Sequence, residues 1–447
     1  MKNFIDSFLN VWKIEELKNR ILVTLGLLLV YRFGAHVTLP GIDASQLTSL
    51  AGQTKQGIGS ILDMFTGGAF SKASVLALGI MPYISASIVV QLMGMAIPYL
   101  QKLQKDGESG RKKLNQITRW LTILITLLQG PGYIYNLYRL VPQSAFLLGS
   151  SSFAFLFSSV LILTTGTIFA MWLGEKITDK GIGNGISLLI MVGILARLPQ
   201  ALIQEFTSRV TNNNGGLFII IIEAVVWLLV IVACILLVMA VRKIQVQYAR
   251  RTTSGDFDQD TMGGNRQYIP LKLNASGVMP IIFAQAIMFI PAALAGLSQS
   301  DASKSIAGAF TNMFGFWYNL VFATLIIVFT FFYTAITIPT SKMADDLKRS
   351  GGFIPGVKPG IETADFLDKI MSLVTFPGAL FLALIAIFPS LVVALGVQQS
   401  WAMFYGGTSL IIMVGVAIDT IQQINTYLLN REYDGLMKTG KNRKAVA

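Results

Sequence analysis

The chain has 447 residues, of which 53% are hydrophobic and only 13% charged, with a formal charge of +12. Soluble domains carry about 25% charged residues, so a water-soluble globule of this size has no interior large enough for so much apolar surface. One cysteine, Cys234, excludes a disulfide framework, and one histidine, His36, excludes a histidine-based metal cluster.

Residues 1–20 carry Lys2, Asp6, Lys13, Glu15, Glu16, Lys18 and Arg20 and no apolar core. They read as a short amphipathic helix on the membrane surface, not as a cleavable signal peptide. A membrane helix needs about 20 mostly apolar residues. Ten segments qualify: 20–38, 73–97, 117–138, 153–173, 185–204, 217–241, 273–296, 316–339, 370–392 and 403–426. Ten spans put both termini on one side. With the N-terminus inside, 28 of the 35 Lys and Arg fall on inner segments, six on outer ones, and Arg32 within a span. That asymmetry orients the chain with both termini in the cytoplasm.

Two pairs of segments repeat. Gly79-Ile80-Met81-Pro82-Tyr83-Ile84 opens the second span and Gly277-Val278-Met279-Pro280-Ile281-Ile282 the seventh. Gly185-Ile186-Ser187-Leu188-Leu189-Ile190 opens the fifth and Gly407-Thr408-Ser409-Leu410-Ile411-Ile412 the tenth. Each pair holds the same ordinal place in a group of five, and five is odd, so equivalent helices run in opposite directions. This is an inverted-topology repeat, which places a pathway between the halves. Pro82 and Pro280 are expected to disrupt hydrogen bonding near helix starts, and the glycine-rich starts of spans 5 and 10 to allow close backbone approach. The expected fold is all-α, with ten transmembrane helices in two inverted-repeat halves, 21–215 and 216–426, an amphipathic segment 1–20 and a tail 427–447.

Chemistry is scarce. Ionisable residues within the spans are few, chiefly Arg32, Glu223 and Asp419, which read as interface anchors or interhelical pairs. Gly435–Asn442 imitates a phosphate-binding loop but lacks the final Ser/Thr and follows no strand. The residues alone also admit two other classes. A secondary small-solute transporter needs a coupling-ion site at Asp419 or Glu223. A multipass membrane enzyme needs a polar constellation inside the spans, and none is visible. No catalytic residue, cofactor or metal is expected.

Several strings together resemble the SecY family, the channel-forming subunits of the bacterial Sec protein translocase. They are Gly59–Ser71 (GSILDMFTGGAFS), Ala77–Gln91 (ALGIMPYISASIVVQ), Gly107–Lys112 (GESGRK), Trp172–Ser187 (WLGEKITDKGIGNGIS) and Tyr405–Leu410 (YGGTSL) with the Asp419 region. The resemblance covers nearly the whole chain. It implies an hourglass channel whose waist is closed by a ring of apolar side chains, here Ile80, Ile84, Ile190, Ile282 and Ile412. Four of these end the repeated hexamers. An apolar constriction dewets and blocks ions, yet fixes no hydrogen-bond donor that would read a passing sequence.

The resemblance further implies a plug at about 57–67, with Ile61, Leu62, Met64 and Phe65 packed beneath the ring. It implies a lateral gate of spans 2 and 7 with 3 and 8, carrying Pro82, Ser85, Gln91 and Pro280. Exit there favours apolar segments by about 0.8 kcal/mol per buried methylene. The basic loops 242–272 and 340–369 are expected to receive the ribosome, through rRNA phosphates, or the SecA ATPase, through Arg250, Arg251 and Lys358. Lys358, in Pro355–Gly360 (PGVKPG), stands where the family usually has Arg, so the charge is kept and the bidentate fork is not. The implied partners are SecE and SecG, secretory and membrane protein precursors, and the lipid bilayer. The implied location is the bacterial cytoplasmic (inner) membrane.

Overall fold

The computed structural model describes Trp12 and residues 14–47, 63–146, 153–211, 216–248, 266–274, 277–295 and 312–444. All ten expected segments fall on helices: α1 (Glu15–Gly34), α2 (Met81–Ala96), α4 (Gly107–Leu140), α5 (Phe153–Lys180), α6 (Gly185–Thr211), α7 (Gly216–Met239), α8 (Met279–Ala295), α9 (Phe316–Thr337), α11 (Ile361–Ala394) and α13 (Gly407–Lys444). Three shorter helices join them: α3 (Pro98–Lys105), α10 (Thr340–Arg349) and α12 (Gln399–Ala402). Among the described residues six helices are long and apolar enough to cross a membrane, and a bent pair, Met81–Gly94 with Pro98–Gln104, would make a seventh. The others fall short for visible reasons. α1 begins with the charged run Glu15–Arg20, α4 interleaves Gln129, Gly130, Pro131 and Asn136, and α8 has 17 residues.

Where α2 and α8 begin differs from the expected 73 and 273. Both start at the methionine of the repeated hexamer, because Gly79 (φ 53°) and Gly277 (φ 62°) hold the left-handed conformation that ends helical continuity upstream. Pro82 and Pro280 therefore lie in the first turn, where a missing N–H has no helical partner to lose. They initiate these helices and disrupt nothing, contrary to the expectation. Ile97 is extended (φ −102°, ψ 116°), as a residue before proline prefers, and the chain turns by 104° into α3.

The chain divides into two compact units. The first takes the chain to Ser208, Gln399–Trp401 and the chain from Val416; the second takes Arg209–Gln398 and Ala402–Gly415. In the first unit α4 packs on α5 and α2, and α1 on α5. Its core joins Leu39 and Ile42 to Phe70, Ala73 and Ala77, to Tyr133, Ile134 and Leu137 on α4, and to Phe155 and Leu163 on α5. The Tyr133 hydroxyl donates to the Phe70 carbonyl at 3.0 Å and the two rings meet edge to face. In the second unit α9 packs on α11 and α8, and α7 on α11.

Apolar side chains also cover the outside. On α7, Phe218, Ile221, Ile222, Val225, Leu228, Leu229, Val232 and Leu236 are exposed, while Glu223, Cys234 and Leu237 are buried on the opposite stripe. A helix that is greasy outward and polar inward suits lipid as solvent.

The second unit also holds a sheet that the helix-only reading did not foresee. Strands β1 (Val241–Tyr248), β2 (Arg266–Lys272) and β3 (Gly352–Phe353) pair antiparallel in the order β2-β1-β3. Ile244 and Val246 alternate with Gln245 and Gln247, which buries one face. That face packs with Leu271, Leu347 of α10, Ile354, and Leu367 and Met371 of α11. The described parts of the two basic loops thus form one small folded platform. Leu367→Ala is expected to weaken it by about 2–5 kcal/mol; faster hydrogen exchange of the β1 amides, with α9 unchanged, would report the loss.

Candidate functional site

The repeat is visible in local geometry. α2 and α8 start at matching methionines, and α6 and α13 at matching glycines. Ile84 and Ile282 therefore lie three residues into their helices, and Ile190 and Ile412 five residues into theirs. The close approaches expected of the second pair are present. A methyl on Gly185 would run into the Gly174 carbonyl, and one on Gly406 would lie 2.5 Å from the Ile385 carbonyl oxygen. The pair also departs from strict equivalence. Gly407 is left-handed (φ 64°), whereas the left-handed glycine before α6 is Gly183 (φ 82°).

Of the ring candidates in the first unit, Ile80 and Ile190 are buried and Ile84 is half-buried. In the second unit Ile412 is buried and Ile282 half-buried. Pro82 and Pro280 are buried, Ser85 is half-buried, and Gln91 donates to the Ser87 hydroxyl at 3.3 Å along α2. Ile61 and Leu62 lie outside the described residues; Met64 is half-buried and Phe65 buried. Arg250 and Arg251 also lie outside them.

The described end of the segment expected to form a plug is held by charge. Asp63–Phe65 form a helical turn that runs into a series of turns up to Ile80. The Asp63 carboxylate accepts from the Ser71 backbone N–H at 2.8 Å and pairs with the Arg197 guanidinium of α6. Arg197 also donates to the Ser71 hydroxyl at 2.8 Å. Arg32 of α1 donates to the Gly67 carbonyl at 2.6 Å. Nearby, burial lowers the Lys72 amine from its usual range, and the Arg32 charge adds to that.

The other intramembrane candidates resolve differently. Glu223 is buried and accepts from Arg209 at 2.7 Å, and Arg209 also donates to the Gly396 carbonyl at 3.1 Å. This is the interhelical pair expected of it. Asp419 is exposed. Among the described residues no group of His, Cys, Asp or Glu could hold a metal ion.

Lys358 stands on an exposed tip of the platform, bracketed by left-handed Gly356 (φ 86°) and Gly360 (φ 114°). Its amine lies 3.6 Å from Glu362, one turn on, and its carbonyl accepts from the Thr363 hydroxyl at 2.8 Å. The tip is anchored from below by buried Ile354.

A family model described as SecY matches residues 74–421. The chain belongs to the SecY family. It is 38% identical to the protein translocase subunit SecY of Streptomyces scabiei over 97% of this chain and 100% of the relative. It is 38% identical to that of Aquifex aeolicus, over 96% and 98%. Its fold matches a solved SecY whose plug domain stabilises the closed state of the translocation channel (TM-score 0.61, 15% identity, 92% of each chain). It also matches Sec61 in the canine ribosome–channel complex from the endoplasmic reticulum (TM-score 0.52, 14% identity, 92% of each chain). A SecY-family chain is a multi-pass membrane protein and a channel subunit. The small-solute transporter alternative is dropped: the chain belongs to a family of protein translocase subunits, and Glu223, one of the two carboxylates offered for ion coupling, is engaged by Arg209.

The sequence does not single out Asp63, Arg197 or Arg209: Asp63 lies within the Gly59–Ser71 string, and the two arginines read only as outer charges. Opposite charges beside apolar runs were the available signal, because an ion near lipid needs a partner. Arg209→Ala removes the arginine from a buried ion pair and is expected to cost about 3–5 kcal/mol. Thermal unfolding in detergent would read it, and adding Glu223→Gln should recover part of the loss.

Proposed function

We propose that this chain is a passive protein-conducting channel. It threads unfolded secretory polypeptides across the bacterial cytoplasmic membrane and releases apolar segments sideways into lipid. The channel has two halves, 21–215 and 216–426, and both termini are cytoplasmic. Ile80, Ile84, Ile190, Ile282 and Ile412 form the apolar waist. The observation that carries this reading is the matched position of four of these isoleucines on two pairs of helices that start at equivalent residues, in a member of the SecY family. Branched aliphatic side chains repel water when closed and yield around an extended chain without reading its sequence.

Residues 57–67, with Ile61, Leu62, Met64 and Phe65, plug the waist. Pro82, Ser85, Gln91 and Pro280 belong to the lateral gate. The paired proline-initiated helices support that assignment, because short first turns after left-handed glycines are natural pivots. The channel performs no chemistry of its own, so an external motor drives it. SecA or the ribosome docks on the basic platform through Arg250, Arg251 and Lys358, and SecE and SecG complete the complex. Lys358 supports this as an exposed cation on a folded tip, suited to phosphate or an acidic surface.

Cysteines at 84, 190, 282 and 412 are expected to crosslink to one stalled secretory chain. Crosslinks from only two of the four, or to lipid alone, would refute the waist. Lys358→Glu is expected to slow motor-driven export about tenfold or more, as loss of a roughly 1.4 kcal/mol contact does, with unchanged expression. Export at the normal rate would remove Lys358 from the docking surface.

A further inference from the structure

Residues 63–71 meet α6 through two complementary features on one helical face. Gly193 and Arg197 are four residues apart and so stand one above the other, and Ile190 precedes Gly193 by three on the same face. At the lower position the backbones touch. A methyl on Gly193 would lie 2.6 Å from the Phe65 carbonyl oxygen, and one on Gly67 would lie 2.8 Å from the Gly193 Cα. At the upper position the Arg197 guanidinium pairs with Asp63 and donates to Ser71, and Gly68 packs against its carbon. Asp63 in turn receives the Ser71 backbone N–H, so three residues close one ring of polar contacts. Arg32 reaches the same turn from α1 through the Gly67 carbonyl.

Only a carboxylate at 63 completes the ring as a charge pair. Arg197 is about three-quarters covered and Asp63 still more so, and screening by water is weak at such burial. The seat itself is made of glycines, and the buried Phe65 and Phe70 flank it. The ion pair is the charged contact that fixes residues 63–71 to α6.

We propose that Asp63 and Arg197, with Ser71 and the Gly193 seat, are an ionic latch that holds the plug closed on the helix bearing Ile190. They are positioning residues for the seal, and this rests on the channel reading above. Opening exchanges the latch for solvation of both charges, so a passing chain releases the plug by displacing the segment, with no chemistry at the latch.

The test uses the purified complex in planar lipid bilayers, read by resting ion conductance, alongside export of a signal-bearing precursor. Asp63→Asn and Arg197→Gln are each expected to raise resting conductance about tenfold, the factor that ~1.4 kcal/mol sets on an open–closed equilibrium, with export retained. The double variant should leak no more than either single one, because both remove the same pair. Asp63→Glu should stay sealed. Gly193→Ala, which favours its helix but displaces residues 65–67, should leak as well while keeping both charges. Asp63→Asn and Arg197→Gln proteins that export and hold the resting conductance of the unmodified protein would overturn the latch alone, as would a double variant leaking by the product of the singles. Unmodified protein that exports nothing would overturn the channel reading and the latch with it.

Discussion

Lipid as solvent is the constraint from which the rest follows. It leaves no water to satisfy a stray polar group, so backbone groups must be paired within each segment and ions must find partners. The chain answers the first demand with helices on all ten apolar segments and keeps its sheet to the basic loops. It answers the second with a small number of placed charges: Arg209 on Glu223, Arg197 on Asp63, and Arg32 on the Gly67 carbonyl. Each ties a turn or helix end to a neighbour. In such a protein a charge near the apolar layer is structural or mechanical by default.

The same constraint separates two kinds of surface. The isoleucines proposed for the waist have no polar function to offer, which is why they can serve a channel indifferent to sequence. The platform is the reverse. It carries lysines and arginines outside the apolar segments and is rigid because β1, β2, β3, α10 and the start of α11 share one apolar cluster. A flexible basic loop would pay ordering entropy on every encounter with a partner, whereas a folded tip such as the one bearing Lys358 has paid it in advance.

The internal repeat shows how far sequence similarity constrains backbone. In the Gly-x-Met-Pro pair, glycine conformation, proline position and helix start all agree. In the other pair the helix starts agree, but the tight glycine contact moves from Gly185 to Gly406, one residue before the equivalent Gly407, and the left-handed residue shifts by two positions. Proline fixes its own dihedral angle and so transmits a start signal strictly. Glycine only permits, and its neighbours decide.

Much was legible in the residues. Apolar length located the ten helical segments, and the hexamers located their matching starts. Specific strings carried the family resemblance that the comparisons bear out. These are local properties, set by 20-residue hydropathy and by glycine and proline, and need no knowledge of neighbours. What the three-dimensional arrangement alone decided was non-local. The sheet pairs Tyr248 with Gly352, 104 positions on, and nothing in either loop names the other. Asp63 and Arg197 are separated by 134 positions. Either could have faced water; only the approach of Gly67 to Gly193 brings the charges together and makes them a pair.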